Sequence, residues 1–458
     1  MVRGMSEGST FGLFEALPEQ GPAERAMAAP RLRQAERRQV SLRPLSLEDL
    51  LPADHRARFV WAFAERLDLS ALYGAIKAVE GHPGHPPADP RILLALWLYA
   101  TVEGVGSARE LDRLCREHIG FEWLCGGVGM NHTTLAEFRV AHGAVLERLL
   151  TDSFAAMLKT GHASLARVAQ DGMRVRAAAG AASFRRQASL ERCRAEAAAE
   201  IVRLRAEIDA DPGVVSRRQA AARRRAAADR ERRVEAALAV AGQLAAKRQG
   251  DQRPQDEDPP RSGDGPAAKP PPEPRVSTTD AEARVMKMPD GGFRPAFNLG
   301  FASDPRSTMI AAVTLDNSGS DKGQLRPMSE WLAAAYGQRP GEHLVDGGFA
   351  KLADIEALAA TGVVVFAPVP KPRDAARDPH APRDGDGPGV AAWRQRMGSE
   401  AAKAVYKERA ATAECVNAQC RNRGLLRFLV RGLKKAKAVG LWHALAHNMI
   451  CTGRLLAT

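Results

Sequence analysis

Apolar residues recur at helical spacing from residue 41 to about residue 160, and this period predicts a region made of helices throughout. Its most apolar segment, RILLALWLYATVEG, follows Pro90. Proline at the first turn of a helix costs nothing, because an N–H at that position has no helical partner. We therefore expect the most apolar helix of this region to begin at Pro90.

Two capping boxes follow along the chain. Ser107 with Glu110 precedes ELDRLCREH, and Thr134 with Glu137 precedes a short helix. Two capped helices in succession indicate a relative of the helix-turn-helix, although the connection from Ile119 to Thr133 is longer than the usual turn. DNA reading by the second helix and plain helix packing are equal alternatives. In the first, the candidate DNA contacts are His132, Thr133 and Arg139. In the second, the arginine is a solvated surface charge.

The middle of the chain combines one strand with a charged insertion. Ala166 to Ala177 predicts a strand. Residues 185–249 are rich in Ala, Arg and Glu, and Asp211-Pro212-Gly213 divides them into two helices of an antiparallel hairpin. A solvated hairpin is the simpler interpretation, and contact with DNA or with a second copy is the alternative. Residues 250–275 contain eight prolines and many acids, a composition that predicts a linker.

Regular structure resumes at Gly292, where GFRPAFNLGFAS and TMIAAVTLD predict a hairpin that continues the sheet. A helix from Gln324 to Tyr336, the strand EHLVD, a helix from Lys351 to Ala360 and the strand GVVVFAPV follow. A helix containing Glu414 and a last amphipathic helix complete the chain. This order predicts an α/β domain that is interrupted by the insertion.

Charge and length narrow the class of protein. The 458 residues suffice for two or three units with ample core. Lys and Arg number 66 against 54 for Asp and Glu, which gives a net charge of +12 and a pI near 9.7. This balance favours polyanionic partners, although many proteins that bind none share it.

The six cysteines are scattered without a disulfide framework, which suits a reducing cytoplasm. No apolar run reaches the roughly 18 residues that span a bilayer, and the N-terminus lacks the apolar core of a signal peptide. We expect a soluble cytoplasmic protein without a membrane partner. Zinc is a minor alternative for Cys415, Cys420, His443 and His447, because the Cys-x4-Cys spacing is unusual and the last helix is otherwise an apolar packing surface.

Three carboxylates stand in distinctive settings. Asp171 and Asp346 end short apolar runs, and Glu414 lies in a long helical stretch. Carboxylates gathered from distant segments repel one another unless a cation holds them, and their oxygens suit Mg2+ or Mn2+. Asp-Gly turns are the competing explanation for the two aspartates. Glu408 competes with Glu414 for the third position.

A basic flank follows Glu414, since no further Asp or Glu occurs up to Thr458. Its basic residues are Arg421, Arg423, Arg427, Arg431, Lys434, Lys435, Lys437 and Arg454. An acidic metal cluster beside such a flank is the layout expected for phosphoryl transfer on nucleic acid.

The residues around the third acid carry a family resemblance. Tyr406, Arg409, Glu414 and Arg421 resemble the Tyr-Arg-Glu-Lys signature of bacterial insertion-sequence transposases of the DDE class. VSTTDAEARVMKMPDGGFRPAFNLGFASD, DNSGSDKGQLRPM, RPLSLEDLLPADHRARFVWAF and HTTLAEFR are similar to the same family. Two departures occur: Arg421 stands where many relatives have Lys, and VNAQC replaces a commoner aromatic-Gly pairing after the glutamate.

The resemblance implies an α+β multidomain protein. It places an all-α DNA-binding unit at 41–160 before an RNase H-like catalytic domain at 161–180 and 276–458. Composition adds a mobile arm at 1–40, which is rich in Gly, Pro, Ala and charge, and a helical insertion at 181–275. Asp171, Asp346 and Glu414 are then the catalytic metal ligands for two Mg2+ or Mn2+ ions. Tyr406, Arg409 and the basic residues from Arg421 to Lys435 become DNA contacts.

The function implied is cleavage at the ends of a mobile element and transfer of those ends into target DNA. Double-stranded DNA, both terminal inverted repeats and target, is the expected partner, and a homodimer at the nucleoid is the expected assembly. Two alternatives stay open. One is a DNA-binding protein whose catalytic fold is inactive or repurposed, and the other is a nuclease without strand transfer.

Overall fold

A computed structural model of the chain describes residues 44, 46–78, 86–210, 217–251, 273–372 and 376–456. The expected mobile arm at 1–40 and the break at Asp211-Pro212-Gly213 lie outside the described residues, as does most of the proline-rich linker.

Among the described residues before the first strand, all regular structure is helical. The helices are α1 (Arg56–Glu65), α2 (Ser70–Tyr73), α3 (Pro90–Val102), α4 (Ala108–Glu117), α5 (Ile119–Cys125), α6 (His132–Ala141) and α7 (Gly143–Lys159), after a 3-10 turn at Glu48–Leu50. Pro90 begins α3, as predicted, and Asp89 caps it by accepting the N–H of Arg91. Ser107 caps α4 by accepting the N–H of Glu110, which confirms the first capping box.

The second capping box is wrong. Asn131, and not Thr134, caps α6 by accepting the N–H groups of Thr133 and Thr134 over 3.0 and 2.9 Å. The helix therefore begins at His132, and α5 fills the stretch that was expected to be a long connection.

A mixed sheet follows the helices. Its strands are β1 (Arg167–Arg176), β4 (Arg284–Lys287), β5 (Phe293–Ser303), β6 (Ile310–Asp316), β7 (Glu342–Leu344) and β8 (Val364–Phe366), while β2 (Phe184–Arg185) and β3 (Val276–Ser277) form a separate pair. The order is β4-β5-β1-β7-β8, and β6 also pairs with β5. β1 is antiparallel to β5 and parallel to β7, and β7 is parallel to β8. The central position of β1 explains its buried apolar residues.

The insertion contains α8 (Gln187–Ala210) and α9 (Arg217–Asp251). Arg230 pairs with Glu196, and Arg223 pairs with Glu207. The earlier residue of α8 pairs with the later residue of α9, so the two helices are antiparallel.

After β6, the regular structure described consists of helices together with β7 and β8. The helices are α10 (Leu325–Tyr336), α11 (Leu352–Ala359), α12 (Pro388–Gly398), α13 (Glu400–Arg409), α14 (Cys415–Asn422) and α15 (Leu433–Leu456), with a π-helical turn at Ala410–Glu414 that joins α13 to α14.

Helix α15 connects the early helices to the sheet. Trp442 lies 6.5 Å from the ring of Trp97 and 6.2 Å from that of Phe138, and its Nε1 donates a 2.9 Å hydrogen bond to the Arg139 carbonyl. The same helix packs on β6. Leu47–Thr458 accordingly forms one packed unit, so the division at residue 160 stays a prediction about function. Of the helices described, none is long and apolar enough to cross a membrane.

Candidate active site

Asp171 and Asp346 lie side by side at the centre of the sheet. Ala169 of β1 is opposite Leu344 of β7, and each aspartate lies two residues further along its own chain segment. Because the two strands are parallel, both side chains leave on the same face at the same level. Each follows a buried apolar run, which fixes the backbone that holds it.

Arg409, the last residue of α13, contacts both carboxylates. Its Nη2 lies 3.8 Å from Asp171 Oδ1 and 3.7 Å from Asp346 Oδ2. The guanidinium is buried, and its Nε has no hydrogen-bond partner among the described residues. The two acids are thus arranged around one shared positive charge.

The pKa of Asp171 is raised above its ordinary value. Burial is the main cause, and the nearby carboxylates of Asp346 and Asp321 raise the pKa further, while Arg409 lowers it. The charged form of Asp171 therefore needs a cation nearby, which Arg409 supplies in this structure.

Asn417 of α14 holds the other oxygen of Asp171. Its Nδ2 donates a 2.9 Å hydrogen bond to Asp171 Oδ2, and the side chain is buried. This asparagine belongs to VNAQC, the segment that departs from the family pattern. Its role was not predicted from the sequence, although that departure was the available signal.

Asp321 is a further acid of the site that sequence reasoning missed. It accepts a 2.6 Å hydrogen bond from Asn298 Nδ2 and pairs with Arg174 at 3.1 Å. A Cβ added to Gly172 would lie 2.7 Å from Asp321 Oδ1, so a larger residue directly after Asp171 would displace the Asp321 side chain. DNSGSDKGQLRPM contains this aspartate, but nothing in its spacing separates it from an ordinary loop acid.

Glu414 does not join the two aspartates among the described residues. It is exposed at the end of the π-helical turn, and no described ion pair or side-chain hydrogen bond involves it. A π turn adds one residue to a helix and often occurs at functional sites.

Glu408, the rival for the third position, is engaged elsewhere. It pairs with Arg167 at 2.6 Å, near the start of β1, and Arg167 also pairs with Glu342.

The oxygen donors of Asp171 and Asp346 suit a hard divalent cation. A complete three-acid site is not assembled, however. Across the described part of the chain, no group of three or more His, Cys, Asp or Glu side chains is arranged to hold a metal. The same finding applies to the minor zinc alternative, where Cys415 is exposed while Cys420, His443 and His447 are buried.

The candidate DNA contacts fall into two groups. Tyr406, half-buried, lies against Arg409 with its ring centre 5.9 Å from the guanidinium carbon. Arg421 and Arg423 are half-buried. The exposed residues are Arg427, Arg431, Lys434 and Lys435.

Arg139 is not where a base contact requires it. Its side chain is 8% exposed, donates to the Gly106 carbonyl and lies 4.8 Å from the centre of the Trp97 ring. The solvated surface charge is therefore wrong, because α15 covers the helix face on which Arg139 lies, and a base contact would require the side chain to leave this position. His132 and Thr133 are exposed at the start of α6.

Comparisons with known families identify two segments. Residues 45–141 match the family described as transposase domain (DUF772), and residues 390–451 match the family described as transposase DDE domain. The second segment contains Arg409, Glu414 and Asn417. Searches of curated proteins and of solved structures found no significant match. The matches confirm the resemblance that the sequence motifs indicate.

Proposed function

Because the chain resembles insertion-sequence transposases of the DDE class, we propose that it cleaves DNA at the ends of a mobile element and transfers those ends into target DNA. The observation that supports this most directly is the pairing of Asp171 with Asp346 around Arg409, in a chain that matches a DDE domain.

The strand order supports an RNase H-like catalytic fold as part of the proposal. The resemblance implies a first acid on the first strand and a second acid just past the fourth. In this chain Asp171 lies on β1, and Asp346 follows β7, which comes after β1 and the hairpin of β5 with β6. The short strand β4 is an addition along the edge of β5. The late helix packed near the sheet contains the π turn and Glu414.

Asp171 and Asp346 would hold the divalent cation, and Glu414 would complete the ligand set. A divalent cation in this position would lower the pKa of an attacking water or 3'-hydroxyl and stabilise the leaving oxygen. Asp171 lies on β1 and Asp346 comes two residues after the end of the neighbouring strand β7, so the sheet holds both positions before any ligand arrives. Glu414 is offered by a helix that already contains an irregular turn.

Arg409 balances the acid pair. Its two contacts, at 3.7 and 3.8 Å, are longer than an ordinary charge-assisted hydrogen bond. The guanidinium is therefore placed to give up part of its contact with the carboxylates and to bind a DNA phosphate oxygen in their place.

Asn417 orients Asp171. It donates to Oδ2, while Oδ1 lies 3.8 Å from Arg409 Nη2. A hydrogen bond of this kind to a metal-binding carboxylate fixes its direction and tunes its affinity.

DNA binding is assigned to two surfaces. Arg427, Arg431, Lys434 and Lys435 present an exposed basic flank for the phosphate backbone. His132 and Thr133, at the exposed start of α6, are the candidates for sequence reading in the segment that matches the other transposase family. Binding at both ends of an element would bring two copies together, and action on chromosomal DNA would place them at the cytoplasmic nucleoid.

The test uses the full chain, Mg2+ and a plasmid whose insert includes the DNA that flanks the gene. Cleavage at the insert ends with joined products in a second plasmid is the expected result. Cleavage without joining would favour the nuclease alternative. Binding without cleavage at any metal concentration would favour the inactive DNA-binding alternative.

A further inference from the structure

A small cavity lies between the early helices and the segment that follows α14. Its volume is about 210 Å³, and its lining includes Gly106, Arg139, Arg423, Arg427, Leu429 and His443. The loop after α3 forms one side, the chain from Arg423 to Leu429 forms another, and α15 contributes His443.

Two arginines bring positive charge into the cavity without an acid to balance it. Neither Arg139 nor Arg423 has a carboxylate partner among the described residues. Arg139 is 8% exposed, and burial lowers its pKa to about 10. A buried cation that lacks a counterion is costly, so an anion that enters the cavity recovers that cost.

His443 adds an unpaired polar atom to the same wall. It is 7% exposed, and its Nδ1 has no hydrogen-bond partner among the described residues. Burial and the charges of Arg139 and Arg423 lower the pKa of His443 to about 3, so the imidazole is neutral near pH 7. A neutral imidazole can donate one hydrogen bond from Nδ1 to an oxyanion. Buried polar atoms of this kind are normally paired, and the pairing is missing here.

The cavity connects to the protein surface on the basic flank. Arg427 is exposed, and the side chain of Leu429 is 55% exposed. The flank provides the electrostatic attraction that brings a polyanion to this opening.

We propose that this cavity binds a phosphate group, held by the guanidinium groups of Arg139 and Arg423 and by Nδ1 of His443. The group is a backbone phosphate of the DNA substrate, and that identification rests on the proposed function. Binding of a phosphate group in the cavity does not depend on the proposed function.

The cavity is linked to the acid pair through β1. Arg176, at the end of that strand, donates to the Leu426 carbonyl over 3.2 Å and accepts the N–H of Phe428 over 2.8 Å. Asp171 lies roughly 17 Å back along the strand, at about 3.3 Å per residue.

Inorganic phosphate and the full-length chain provide the first test. At constant ionic strength, phosphate should raise Tm in a saturable way that chloride does not reproduce. Arg423→Gln should weaken phosphate binding about tenfold, the loss expected for one charge-assisted hydrogen bond. Arg339→Gln, which removes an exposed charge away from the cavity, is the matched control and should leave phosphate binding unchanged.

His443→Gln, which removes the Nδ1 donor, should also weaken phosphate binding. Arg423 is half-buried, so Arg423→Gln keeps the proposal testable if His443→Gln fails to fold. Equal phosphate binding by wild type and Arg423→Gln would overturn the proposal, as would the absence of saturable binding by wild type. The phosphate titration does not depend on DNA cleavage. It can therefore succeed even if the proposed function fails, and the two failures are distinguishable.

The second arm identifies the source of the phosphate. Duplex DNA affinity is compared in phosphate and in chloride at equal ionic strength. If a backbone phosphate occupies the cavity, the wild-type chain should bind DNA more weakly in phosphate than in chloride. This difference between the two salts should disappear in Arg423→Gln. Simultaneous binding of both ligands would overturn the assignment to DNA and leave a site for free phosphate.

Discussion

Asn417 donates a hydrogen bond to Asp171 that links the helix after the π turn to the central strand, across 2.9 Å in space and 246 residues in sequence. The bond ties the direction of a candidate metal ligand to the position of α14. Glu414 comes just before α14, so the position of this helix affects both where Glu414 lies and how the Asp171 carboxylate is oriented.

Asn417→Ala should weaken metal binding while leaving DNA binding nearly intact, because Asp171 loses the group that orients it. We expect the Mg2+ concentration for half-maximal cleavage to rise about 10- to 100-fold. Titration of cleavage with Mg2+ checks this, with Gln419→Ala in the same helix as the control. An unchanged Mg2+ dependence in Asn417→Ala would show that the asparagine only packs.

Asp171→Ala, Asp346→Ala and Glu414→Ala should each abolish cleavage with little loss of DNA affinity, because the carboxylates hold metal and not DNA. Glu408→Ala is the control, since Glu408 pairs with Arg167 and lies outside the proposed ligand set. Gel assays of cleavage and binding measure both effects. Cleavage retained by any of the three at saturating Mg2+ would remove that residue from the ligand set, and loss of cleavage in Glu408→Ala alone would reverse the choice of third acid.

The positions of Asp171 and Asp346 could be predicted because each follows an apolar run that forms a buried strand. The roles of Asn417 and Asp321 could not, because they arise only when helix, loop and sheet are packed together. The burial of Arg139 could not be predicted from its own helix either, because a distant segment causes it. Its own helix leaves it at a plausible surface position, and a helix that begins at Leu433 covers it.

Acid should destabilise the fold through a fully buried histidine. His343 on β7 is fully buried, both ring nitrogens lack partners among the described residues, and burial lowers its pKa to about 4. The folded state then binds fewer protons than the unfolded state between about pH 6.5 and pH 4, so stability is lost as pH falls through that window. The loss from this histidine alone is about 3 kcal/mol at most, at about 1.4 kcal/mol for each unit of pKa.

His343→Leu should therefore reduce the loss of stability on acidification. It should also raise Tm at pH 7, because it removes unpaired buried polar atoms without changing the strand. Thermal unfolding from pH 7 to pH 4.5 measures both effects, and His162→Leu, near the end of α7, is the comparison. An identical pH dependence in wild type and His343→Leu would show that this histidine is not the source.

DNA binding should depend strongly on salt, because the basic flank contacts phosphates. Each contact adds close to one unit to the slope of log affinity against log salt. Arg427→Gln should reduce the slope by about one unit and weaken binding uniformly across sequences. The exposed Arg339→Gln is again the control. A flat salt titration of the wild-type chain would contradict a role of the flank in phosphate binding.

Recognition of the element ends should depend on the start of α6 and not on Arg139. His132 and Thr133 are exposed there, so the double variant His132→Ala with Thr133→Ala should narrow the affinity gap between terminal-repeat and scrambled DNA. The test requires the full chain, because Trp442 of α15 packs on Trp97 and Phe138 and an isolated 41–160 fragment would expose that surface.

Arg139→Ala should instead lower stability by about 2 kcal/mol, through loss of a buried hydrogen bond and of packing on Trp97. Thermal unfolding and competition binding separate the two outcomes. A specificity loss in Arg139→Ala at unchanged Tm would restore it as a base contact, and an unchanged gap in the double variant would move recognition to α8 and α9.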